Sequence, residues 1–91
     1  MKLYQVKCSP KSFEAILNNS KSYELRPTDF PYETGDHVRF MEWTGHVYTG
    51  REIEVKITFI TRGNPLPERL CILGFKITLI KGLNKTAYFV V

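Results

Sequence analysis

At 91 residues the chain has room for a single core, and a domain near this size buries roughly two-thirds of its unfolded surface, enough to fold without metal or disulfide support. Its hydrophobic fraction of 43% and charged fraction of 24% exclude disorder as the main state. The net charge of +4 arises wholly beyond residue 61, where Arg62, Arg69, Lys76, Lys81 and Lys85 face Glu68 alone, as suits either a phosphate-binding flank or gatekeeper charges on exposed strands.

No apolar run approaches the ~20 residues of a membrane span, and the N-terminus lacks the apolar core of a signal peptide, so a cytoplasmic protein without a membrane partner is expected. Cys8 and Cys71 show no metal-ligand spacing; both are expected as buried, reduced thiols, with no metal and no cofactor.

In chain order, Tyr4, Val6 and Cys8 alternate with Leu3, Gln5 and Lys7, the pattern of a half-buried strand. Ser9-Pro10 then starts a helix, whose apolar stripe is Phe13, Ile16 and Leu17 and whose end is marked by Asn18-Asn19. A short strand through Tyr23, Glu24 and Leu25 precedes a loop of turn formers from Pro27 to Asp36. Val38, Phe40 and Trp43 continue as a strand, and Thr44 to Gly50 reads as a hairpin connection. Ile53, Val55, Ile57 and Phe59 share one face of the next strand, opposite Glu52, Glu54, Lys56 and Thr58. After a loop over residues 61–68, Leu70 to Ile80 forms a strand in which Gly74 suggests a bulge. Gly82 to Lys85 resembles a turn into a closing strand, Thr86 to Val91. The expected fold is α+β and β-dominated: one domain over residues 1–91, a small partly open barrel of five to six mostly antiparallel strands with one short N-terminal helix.

Two constellations carry candidate chemistry. Lys21, Glu24 and Arg26 form a K-x-x-E-x-R pattern in which Glu24 and Arg26 share a strand face. A guanidinium held by a carboxylate keeps donors free for a phosphate or base edge; a solvated charge run accounts for the same residues. Tyr48-Thr49-Gly50-Arg51 places an aromatic, a hydroxyl and a guanidinium in one tight turn, either a nucleotide contact or a hairpin in which Arg51 pairs with an acid on a neighbouring strand. Trp43 is a base-stacking platform or a core or rim residue.

In register these pieces resemble the ASCH domain family of the PUA-like superfamily, most closely its small bacterial and phage members of unassigned function. Val6-Lys7, Pro10 and Phe13-Glu14-Ala15-Ile16 are similar to its first strand and helix. Lys21, Glu24 and Arg26 are similar to its G-x-K-x-x-E-x-R signature, Asp29 and Gly35-Asp36 to the following loop, and Tyr48 to Arg51 to a segment common in this branch. Asn19 stands at the signature glycine and tolerates the same left-handed backbone. Tyr4 and Phe30 replace residues that are often histidine and basic.

The resemblance implies a PUA-like barrel with a cleft between barrel and helix, and a role in RNA metabolism. The expected function is RNA or nucleotide binding by Lys7, Lys21, Glu24, Arg26, Tyr48, Thr49 and Arg51, with Glu24 orienting Arg26. One alternative is an amidohydrolase acting on acylated nucleosides, with Lys21 and Glu24 as an acid–base pair; Glu24 stands where that branch carries its nucleophilic threonine. The other is a protein-interaction module, with homo-oligomerisation through the apolar strand Tyr88 to Val91.

Overall fold

A computed structural model describes residues 1–82. They form β1 (Leu3–Cys8), α1 (Pro10–Leu17), β2 (Tyr23–Pro27), β3 (His37–Trp43), β4 (Tyr48–Thr61) and β5 (Leu70–Lys81). The five strands make one sheet in the order β1-β3-β4-β5-β2, curled into a half-barrel. Only β1 and β3 pair in parallel; the other pairs are antiparallel. The expected α+β, β-dominated fold with one early helix is what forms. Gly82 excepted, the expected turn and closing strand Thr86 to Val91, with its oligomer edge, lie outside the described residues. No described helix is long and apolar enough to cross a membrane.

β1 and β2 are the two edges of the sheet, and α1 carries the chain from one to the other. Its start is local chemistry: Ser9 Oγ accepts a hydrogen bond from the Ser12 backbone N–H at 3.3 Å, and Pro10 occupies the first turn, where no N–H is needed. Asn18 caps the end and Asn19 takes φ +63°, the left-handed turn expected of it. Phe13 and Ile16, one face of the helix, are fully buried against the sheet. They join Val6, Val38, Phe40, Ile53, Val55, Ile57, Leu73 and Phe75 in one core.

Three irregularities decide which side chains face that core. Thr44 to Val47 close the β3–β4 loop, with Thr44 Oγ1 accepting from the backbone N–H of His46 and Val47. β4 therefore begins at Tyr48, and Tyr48 to Arg51 belong to a strand, not to the tight turn expected. The pairs Trp43↔Tyr48 and Met41↔Glu52 leave Glu42 alone opposite Thr49, Gly50 and Arg51, a bulge that Gly50 permits with φ +94°.

Further along, Ile57 faces Phe75 and Phe59 faces Gly74, so the extra residue is Thr58 on β4. The bulge expected at Gly74 thus lies on the partner strand. Gly74 serves close approach: a Cβ there would overlap the Phe59 ring. The one-residue slip also turns Phe59 outward, 53% exposed, where simple alternation placed it with Ile57. A third bulge, at Thr78 on β5, lies between the pairs Glu54↔Leu79 and Val55↔Ile77.

The loop after β2 seals one end of the half-barrel. Tyr4 stacks on Phe30 (centroids 5.2 Å apart) and meets Tyr32 edge-on, and its hydroxyl donates to the Pro31 carbonyl at 3.2 Å. Arg62 Nη2 holds the Tyr32 carbonyl at 3.0 Å. Asp36 is buried and ties the loop down, accepting from the backbone N–H of Lys2 and of Glu33.

Candidate functional site

The register of β2 puts Glu24 opposite Leu73 and Arg26 opposite Cys71, both core-facing residues of β5. Directly paired residues share a face, so both charged side chains enter the concave side of the half-barrel. Lys21, on the turn before β2, reaches the same side and forms an ion pair with Glu24. Glu24 is thus held by Lys21 and does not orient Arg26 as the sequence suggested.

Beside Arg26 lies Tyr32, a buried residue only 1% exposed. Burial pushes the Tyr32 phenol up, and the Arg26 guanidinium beside it pulls the other way. Arg26 Nε, the Tyr32 hydroxyl and Glu24 Oε1 are sealed from solvent, and none makes a well-formed hydrogen bond among the described residues, although the Arg26 guanidinium lies against the Tyr32 hydroxyl. Lys21 touches that same Glu24 oxygen, but out of line for a hydrogen bond. Buried polar atoms left short of a well-formed hydrogen bond are costly.

Across the open side, Cys8 on β1 senses these charges. Its thiol is pushed up to about 11, first by burial and then by Glu24, with Lys21 opposing, Glu42 adding and Arg26 opposing. Cys8 on edge strand β1 is therefore within electrostatic reach of Lys21, Glu24 and Arg26 at edge strand β2, and the region between these two edges is the seam. Cys8 and Cys71 are both buried free thiols, as expected.

Two clefts flank the seam. One, of about 190 Å³, is bounded by Asn19, Lys21, Ser22, Phe75, Lys76 and Ile77, and presents two ammonium groups. The other, of about 260 Å³, lies at the start of α1 between Lys7, Cys8, Ser9, Pro10, Trp43, Thr44 and Gly45.

The remaining expected site residues fall elsewhere. Thr49 and Arg51 converge on Glu42 through the β4 bulge: Thr49 Oγ1 donates to Glu42 Oε1 at 2.7 Å, and Arg51 donates to both carboxylate oxygens at 2.8 Å. Arg51 Nη2 also reaches Glu14 of α1 at 2.7 Å, and its guanidinium lies 4.6 Å from the Phe13 ring centroid. The Arg51 bonds, then that of Thr49, hold the Glu42 carboxyl below its usual range against burial. Arg51 is therefore a structural cross-link with its charge spent on two acids, and neither it nor Thr49 joins the β2 cluster. Lys7 and Tyr48 stand on the convex face around Trp43, because Lys7 alternates with buried Val6 and Cys8, and Trp43 with buried Glu42.

Sequence reasoning missed Tyr32; it anticipated Lys76 within a phosphate-binding flank and an acid on a neighbouring strand for Arg51, without naming Glu42. Tyr32 sits in a loop without periodicity; its one signal was an aromatic ring among turn formers. Glu42 follows the alternation of β3 inward, and a carboxylate in a core-facing position demands a cation.

A family model described as a domain of unknown function, DUF3850, matches residues 3–75. An uncharacterized 12.9 kDa protein encoded in the GpA 3′ region of Escherichia phage P2 is 40% identical over 60 residues, covering 66% of this chain and 55% of that protein's length. The chain spans little more than half of that phage relative. With four-fifths of its sequence inside the matched region, the chain belongs to the DUF3850 family.

Proposed function

We propose that the domain binds RNA or a nucleotide at the seam between β1 and β2. One observation carries the reading: Arg26 Nε, the Tyr32 hydroxyl and Glu24 Oε1 are all buried without a well-formed hydrogen bond among the described residues. Their donors and acceptor match a base edge or a sugar–phosphate oxygen. Lys76 in the adjoining cleft supplies an ammonium group for the phosphate, beside Lys21, which is paired with Glu24. The resemblance of Lys21, Glu24 and Arg26 to the ASCH signature supports the same reading, and with it a PUA-like barrel.

The test is calorimetric titration with nucleoside monophosphates and a short single-stranded RNA at low salt. Arg26→Ala is expected to weaken binding by about tenfold, a hydrogen bond to a charged group being worth roughly 1.5–3 kcal/mol. Equal binding by Arg26→Ala and wild type, or no binding by wild type, overturns the proposal.

The direct Lys21–Glu24 pairing favours one second reading, a hydrolase acting on acylated nucleosides with these two groups moving the proton. Turnover of such a nucleoside that vanishes in Lys21→Ala supports it; no turnover leaves binding as the function.

A further inference from the structure

We infer that the cleft at the start of α1, beside Lys7 and Trp43, is a second nucleic-acid contact, where Trp43 stacks a base of a single strand and Lys7 takes the adjoining phosphate. The inference rests on the binding reading above and extends it, since it makes the partner a strand rather than a mononucleotide.

Lys7 Nζ lies 4.3 Å from the Trp43 ring centroid. Among the described residues no carboxylate comes within ion-pair distance of Lys7 or of Lys11 just beyond Pro10. The nearby acids are taken: Glu42 and Glu14 by Arg51, Glu52 and Glu54 by Arg39. An ammonium resting on an indole face is loosely held and available to an anion.

Trp43 is held in place at the cleft. Tyr48, its cross-strand partner, braces it edge-on with centroids 4.8 Å apart and planes at 62°, and is itself 48% exposed. The cleft between the indole, Ser9, Pro10, Thr44 and Gly45 holds about 260 Å³. That is below the roughly 300–1,000 Å³ of pockets enclosing a drug-sized ligand, and suits one planar base with its backbone left outside. Aromatic rings beside unpaired ammonium groups are the elements with which proteins hold single strands without reading sequence. A base entering the cleft displaces Lys7 from the ring toward the phosphate.

The site carries its own reporter, because Trp43 is the single tryptophan. A fluorescein-labelled ten-nucleotide oligouridine is titrated at low salt, with binding followed by anisotropy and, using unlabelled strand, by Trp43 emission. Saturable quenching that coincides with binding is expected. A sugar–phosphate strand lacking bases should leave the emission unchanged, and Lys7→Gln and Tyr48→Ala should each weaken binding several-fold. Lys7→Gln should also reduce the salt dependence by about one counterion. Binding without any change in Trp43 emission, unaltered affinity in both variants, or equal quenching by polyglutamate overturns the inference. Loss of binding in Arg26→Ala with silent Trp43 rejects this contact and keeps the seam; quenching and affinity unchanged in Arg26→Ala support this contact and reject the seam. No binding by wild type rejects both.

Discussion

Arg51 and Glu42 face each other in a two-point pair, Nε to Oε1 and Nη2 to Oε2 each at 2.8 Å, with side-chain exposures of only 16% and 4%. The pair forms because three residues of β4 bulge opposite a single residue of β3. It binds the bulge, the sheet and, through Glu14, the helix together. Arg51→Ala leaves a buried carboxylate uncompensated and is expected to cost about 3 kcal/mol in urea denaturation. Arg51→Lys should recover only part of this, since an ammonium cannot make the paired contact.

The same pair sets the acid limit of the fold. Glu42 is depressed below its ordinary value of 4.5, chiefly by Arg51, and Glu54 is also depressed because Arg39 and His37 outweigh its burial. A carboxyl with a lowered folded-state pKa adds stability that is complete above the unfolded value and vanishes as pH falls through the folded one. Stability should therefore decline below about pH 4.5, and the Glu42→Gln variant should lose its share of that decline. At the alkaline end, Cys8 is raised from 9.0 to about 11, so the fold favours the neutral thiol. Stability from Cys8 is complete below pH 9 and should fall as pH rises toward 11, a limb that Cys8→Ser should remove. Denaturation midpoints measured against pH check both limbs.

Tyr32→Phe is expected to stabilise the free domain. The hydroxyl is buried without a well-formed hydrogen bond among the described residues, and removing such a group lifts a penalty of about 1–3 kcal/mol. The same change should weaken nucleotide binding at the seam. A higher melting temperature together with lower affinity is the signature of a polar group kept for a ligand. A lower melting temperature would show that the hydroxyl is stabilised in the free protein.

Gly74 and Phe59 should be coupled. A methyl at Gly74 meets the Phe59 ring, so Gly74→Ala is expected to cost about 1–3 kcal/mol as overpacking. In Phe59→Ala the ring is gone, and the added methyl should cost much less. A double-mutant cycle in urea measures the difference, and independent effects would show that the ring swings aside freely.

What the sequence determined by itself was local. Ser9, Pro10 and Asn19 bounded the helix because capping and left-handed turns depend on neighbours only a few residues apart. Alternation assigned Val6, Cys8, Val38, Phe40, Ile53, Val55 and Ile57 to the core, and put Glu24 and Arg26 on one face, because strand side chains have a period of two. Tertiary structure decided the rest. The Thr58 bulge reversed the side of Phe59, and the Gly50 bulge gave Arg51 to Glu42. Glu24 went to Lys21 instead of Arg26, Tyr32 came in from a loop, and Lys7 was left with Trp43 on the opposite face. Ion pairs and bulges depend on the register between segments distant in the chain, and periodicity within one segment carries no record of that register.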